Sequence, residues 1–134
     1  MLSLSVKAKY GLSAMVALAS QQEGTLQSRQ ISQQERLPLA FLEQLLSELK
    51  KAGFIKSFRG SQGGYALAKT TKSITVYDIL TCLEGPSDLC TNGTNSLEWF
   101  WKQKESELAH LFETTLEDLV SEHQKHTGKW SYSI

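Results

Sequence analysis

Cysteine is scarce in this chain, and its scarcity excludes a good deal. The two thiols, Cys82 and Cys90, are too few for the disulfide framework of a small secreted fold and point instead to free thiols in a reducing compartment. No apolar run approaches the roughly 20 residues that span a bilayer. Met1 to Ser20, broken by Ser3, Ser5, Lys7 and Lys9, holds no signal-peptide core, so a cytoplasmic protein with no membrane attachment is expected. Internal repeats and low-complexity tracts are absent. So are the usual marks of catalysis. Gly60 to Gly64 lacks the Lys-Ser/Thr that completes a phosphate loop, and no Ser/His/Asp order stands out, so no enzyme is expected. Net charge is absent as well, with 14 basic residues balancing 14 acidic ones.

That zero conceals a division. Residues 1–72 hold ten Lys or Arg against four Glu, while residues 73–134 hold four Lys against ten acids. One half of the chain suits a phosphate backbone and the other is turned away from it. The 134 residues fit one domain with one appended element, and an apolar fraction of 40% is adequate for a modest core.

The basic half carries the most informative stretch, Gly53 to Lys69. Phe54, Ile55 and Phe58 on one side and Tyr65, Ala66 and Leu67 on the other predict two short strands joined by a tip rich in glycine. With Arg59 projecting, Lys56 beside it and Lys69 at its exit, such a tip suits a DNA minor groove, where narrow A·T tracts concentrate negative potential. An isolated hairpin with a solvated Arg59 would look the same; the preceding residues decide between them. Leu39, Leu42, Leu45, Leu46 and Leu49 recur at helical spacing over Leu37 to Ala52, with Pro38 in the first turn and Gly53 at the end. Before them, Leu26 to Glu35 predicts a shorter helix with Ser28 as N-cap and Ile31 as buried anchor. Helix, turn, helix and hairpin make a winged helix-turn-helix, whose second helix presents its N-terminal residues to the major groove. The expected DNA-contact set is Arg29, Pro38, Ala40, Phe41, Glu43, Gln44, Lys56, Arg59 and Gly60.

The remaining elements are helical. Val6 to Ala19 is amphipathic, and Thr75 with Asp78 has capping-box spacing before a helix to Leu83. A turn-rich loop follows, Glu84 to Asn95. Ser96 to Phe112 then carries a stripe of Leu97, Trp101, Leu108 and Leu111, edged by Phe100 and Phe112 and interrupted at Lys104. Thr115 to Glu122 restarts a short helix. Trp99, Phe100 and Trp101 need more cover than a small winged domain offers, and a second protomer supplies it; the alternative is that they cover the back of that domain. The expected dimerisation residues are Leu97, Phe100, Trp101, Leu108 and Leu111. The organisation is therefore a mainly α fold with a small β-wing: a winged helix-turn-helix over 1–83, a loop over 84–95, and a long dimerisation helix with a C-terminal segment over 96–134.

Lys7-Ala-Lys-Tyr10-Gly11, Phe41-Leu-Glu-Gln44-Leu, Lys51-Ala-Gly53-Phe-Ile, Arg59-Gly-Ser-Gln-Gly-Gly64-Tyr65 and Leu83-Glu-Gly-Pro86 together resemble the Rrf-two family of bacterial transcription regulators, and Thr114-Thr-Leu-Glu-Asp118-Leu extends the likeness toward the C-terminus. The resemblance implies a homodimer with winged domains at its ends and long helices crossed at the centre. It implies a repressor or activator on a pseudo-palindromic operator, with Glu43 and Gln44 in the major groove and Arg59 in the minor groove. Cluster-binding members carry three closely spaced cysteines in the loop before the dimerisation helix. This loop has only Cys90. An iron–sulfur cluster usually takes about four strong ligands, so no cofactor or metal is expected, with an iron–sulfur or thiol-based redox-sensing regulator as the alternative reading. Cys90 remains a possible thiol sensor, and a site completed across the dimer by residues such as Asp88 the remaining route to a metal. His110, His123 and His126 lack partner spacing for zinc. A partner protein or small-molecule effector is ranked above redox chemistry as the signal, and a protein-interaction module built on the acidic helix is the alternative class.

Overall fold

The computed structural model describes residues 3–21, 23–85 and 96–128. The first helix, α1 (Val6–Ser20), starts where the Ser5 hydroxyl accepts the Ala8 N–H at 3.1 Å and buries Ala8, Ala14, Met15 and Leu18. In α2 (Ser28–Glu35) the cap lies one residue earlier than expected. Gln27 takes it because Gln30 reaches back, its side chain accepting the Gln27 N–H at 2.8 Å, and Ser28 becomes the first helical residue. The turn that follows places Arg36 at φ 56, and the Ser32 hydroxyl donates to the Leu37 carbonyl across it.

The next helix, α3 (Leu39–Lys51), begins two residues later than its periodicity predicts, since Pro38 disfavours helical backbone at Leu37 and itself becomes the cap. Leu42, Leu45, Leu46 and Leu49 are buried, whereas Leu39, expected among them, is only half-buried. The helix ends in a Schellman motif. Ala52 is the cap residue, Gly53 follows at φ 87, and Gly53 and Phe54 donate their N–H groups to Lys50 and Leu49, each at 3.0 Å.

The wing is β1 (Ile55–Phe58) paired antiparallel with β2 (Gly64–Leu67), in the register Ile55 to Leu67 and Phe58 to Gly64. Leu26 adds an isolated antiparallel bridge to Tyr65 on the outer edge of β2. After a single 3-10 turn at Thr71–Ser73 comes α4 (Val76–Glu84), whose capping box forms as expected: Thr75 N–H donates to Asp78 at 3.0 Å and Asp78 N–H to the Thr75 hydroxyl at 3.1 Å.

Two helices complete the described chain, α5 (Glu98–Leu111) and α6 (Leu116–Thr127). The latter runs beyond the expected Glu122 and stops where Gly128 turns left-handed. It returns to the N-terminal core. Val76 N–H donates to Thr114 and Leu116 N–H to Ile74, each at 2.8 Å, and Leu116 is completely buried beside α1. The core is thus built from α1 to α4, the inner side of the wing and the start of α6. Among the described residues no helix is long and apolar enough to cross a membrane.

Candidate nucleic-acid interface

Burying one face of α3 fixes what its other face can meet. With Leu42, Leu45, Leu46 and Leu49 locked in the core, Pro38, Ala40, Glu43 and Gln44 are left exposed on the opposite side. Phe41 differs from them: it is half-buried, its ring edge-on to Tyr10 at 5.8 Å, so it packs α3 onto α1 instead of standing free. A second tie between these helices is the ion pair of Lys7 with Glu48 at 2.8 Å.

The wing stands beside this face. Thr25 holds its tip by donating a hydroxyl hydrogen bond to the carbonyls of Gln62 and Gly63, at 2.9 and 3.0 Å. Lys56, Arg59 and Gly60 are exposed along it. Between wing and recognition helix lies an open cleft of about 420 Å³ that brings Arg29, Glu43 and Gly60 together with Gln27, Ser28, Leu39 and Phe58, none of which the sequence placed in the DNA-contact set. Lys56, Arg59, Pro38, Ala40 and Gln44 lie outside that cleft. Among the described residues neither Arg29 nor Arg59 enters an ion pair, so their charge is directed at solvent. Two wing lysines have aromatic neighbours: Lys56 lies over the Phe58 ring at 5.6 Å and Lys69 over the Phe54 ring at 4.9 Å.

Helix α5 buries no residue within the chain. Leu97 is 49% exposed, Leu111 68% and Trp99 63%, while Phe100, Trp101 and Leu108 are half-buried. Phe100 sits edge-on to both neighbouring tryptophans, with centroids 5.9 and 5.1 Å away. Lys104 does not interrupt the stripe. Its ammonium lies over Phe100 at 5.2 Å and pairs with Glu107 at 3.0 Å, so its stem covers the ring.

No group of three His, Cys, Asp or Glu side chains among the described residues could hold a metal ion. Cys82 is half-buried on α4; burial pushes its thiol above the ordinary value, Glu48 pushes it further, and Lys7 opposes. Cluster ligands are thiolates, and this is the single cysteine among the described residues. Cys90 and Asp88, with the rest of the loop through Asn95, lie outside the described residues. His110 pairs with Glu113 at 2.9 Å, and His123 and His126 are exposed on α6.

The chain matches the family model Rrf2, described as an iron-dependent transcriptional regulator, over residues 4–122. It is 36% identical over 125 residues to the HTH-type transcriptional regulator CymR of Bacillus subtilis, covering 90% of this chain and 91% of that one. The solved structure of B. subtilis CymR, the global cysteine regulator, superposes with a TM-score of 0.80 at 38% identity, over 90% of this chain and 98% of that one. The structure of T. potens IscR superposes with the same score of 0.80 at 33% identity, over 93% and 90%.

Proposed function

The chain belongs to the Rrf2 family of helix-turn-helix transcription regulators, not to an enzyme family, and from that premise we propose that it works as a cytoplasmic homodimer on a pseudo-palindromic operator. The observation carrying this reading is the division of α3: its leucines are buried while Ala40, Glu43 and Gln44 stand exposed next to a wing tipped by Arg59. In this reading the N-terminal turn of α3 enters the major groove, Gln44 and Glu43 reading base edges, and Arg59 enters the adjoining minor groove. Arg29 and Lys56 neutralise phosphate. The uncovered aromatic face of α5 is where the second protomer packs, which doubles the half-site.

The signal in this proposal is a partner protein or small molecule. The donor set supports that ranking, since the described residues offer a single protonated thiol and the whole chain only two cysteines. The purified protein is expected to be colourless when prepared anaerobically and to bind its operator equally well as Cys82→Ser, Cys90→Ser; stoichiometric iron and sulfide would reverse this. Operator binding itself is tested by selecting genomic fragments on the purified protein and sequencing them. A shared twofold motif among the fragments is the expected result, and fragments with no motif would refute the proposal.

A further inference from the structure

An aromatic ring stands at the edge of the basic surface, half in solvent and with the Lys56 ammonium 5.6 Å from its centre. Phe58 is 46% exposed at the end of β1, immediately before Arg59. Its cross-strand partner is Gly64, which has no side chain to cover that face of the ring. Across the cleft stand Leu39 and Glu43 from α3 and Arg29 from the start of α2. If α3 occupies a major groove and the wing the adjoining minor groove, the sugar-phosphate strand that divides the two grooves has to run through this cleft. That strand has two chemistries, anionic phosphates and apolar deoxyribose faces. Arg29 answers the first. Phe58, with Leu39, answers the second.

We propose that Phe58 is a DNA-contact residue that packs on deoxyribose of the strand passing between recognition helix and wing, supplying affinity that does not depend on charge. The inference rests on the DNA-binding reading above. It also separates Phe58 from its neighbours: phosphate contacts lose strength as salt rises because counterions are released, with a slope of about 0.9 per phosphate, whereas apolar burial is insensitive to modest salt.

The test is fluorescence anisotropy of the full-length protein on a duplex recovered by genomic selection, between about 50 and 200 mM salt. Phe58→Gln should weaken binding by roughly tenfold at every salt concentration, as expected for losing much of a buried aromatic face, with the salt slope unchanged. Phe58→Leu, which keeps apolar bulk, should stay within about threefold of wild type. Arg29→Gln should instead lower the slope by about one contact. Thermal melts of every variant guard against a misfolded wing, and Phe58→Thr, whose β-branched side chain suits a strand, is read in the same way if Phe58→Gln does not fold. Unchanged affinity in Phe58→Gln would overturn the proposal. So would a lowered slope in Phe58→Gln, since the ring would then act only by holding Lys56 in place. Wild-type protein that binds the selected duplex no better than a scrambled one would overturn the underlying DNA reading, a failure visible before any variant is made.

Discussion

Tyr65 and Leu26 exchange both of their backbone hydrogen bonds, at 2.7 and 3.0 Å. The wing is thereby stitched to the segment that leads into α2, so the hairpin and the helix-turn-helix hold one orientation. The stitch requires close approach, and Gly64 permits it: its φ is 142, and a Cβ there would meet the Leu26 carbonyl oxygen at 2.6 Å.

Gly64→Ala is therefore expected to loosen the wing at the least. Since the native backbone is one that side-chain-bearing residues rarely adopt, the cost should exceed about 1 kcal/mol. A lower unfolding temperature together with weaker operator binding is the expected pair of results. A melt within a degree or so of wild type would show that the Leu26 contact relaxes freely.

Gln44 and Arg59 should fail in different ways. Losing a bidentate base contact at Gln44→Ala costs about 1 to 3 kcal/mol and relaxes preference at one operator position. Arg59→Ala should instead flatten the preference for an A·T-rich minor groove. Repeating the fragment selection with each variant reads both patterns, and two unaltered motifs would move the recognition surface elsewhere.

The double variant Trp101→Ala, Leu108→Ala should sediment as a folded monomer. Truncating a fully buried Trp or Leu costs about 2 to 5 kcal/mol, and since Trp101 and Leu108 are only half-buried within their own chain, most of that loss should fall on association and spare the protomer's core. Sedimentation velocity with far-UV circular dichroism separates the outcomes, and an undiminished dimer would remove α5 from the interface.

Cys82 should make the fold sensitive to alkali. Burial raises its thiol value in the folded chain, so the folded state holds the proton more tightly than the unfolded one. The resulting stability is fully present below the ordinary thiol value, about 8.5, and is lost as pH rises through the folded-state value. Melting temperatures taken across that window should fall more in wild type than in Cys82→Ala. The same burial should make Cys82 slow to alkylate near neutrality.

Leu116→Ala should destabilise the winged half although it lies beyond α5 in the chain. A fully buried leucine replaced by alanine costs about 2 to 5 kcal/mol, and Leu116 is fully buried. Hydrogen exchange in α1 and α4 should rise with the substitution; protection unchanged there would mean α6 is only loosely attached.

Local signals were readable wherever the physics is local. The leucine spacing of α3, the capping pair Thr75 and Asp78, and the glycine-rich tip each encode their element within a few residues. Where two side chains compete, the sequence misleads: Ser28 is the better cap by type, yet the Gln27–Gln30 pair wins by closing a reciprocal box. The extension of α6 past Glu122 has no apolar rhythm to announce it, only Gly128 at its end. That Gln27, Leu39 and Phe58 share a cleft could not be read, because their meeting depends on the Leu26–Tyr65 bridge, a single pairing between distant residues with no periodicity. Phe41 looks, in sequence, as free as its neighbours; only the position of Tyr10 shows which way its ring turns.

The pairing of Thr75 with Thr115 has an evolutionary consequence. It closes the chain from α4 through α5 into a loop whose two ends are fastened side by side, with Leu116 plugged into the core of the reading head. Such a head cannot be cut out and grafted onto another oligomerisation element, because the cut would remove part of its own interior. A graft of this head would have to carry Leu116 and its strand bridge along with it. Change between the two fastenings is constrained as well, since Val76, Ile79, Leu80 and Leu83 of α4 lie in the same core.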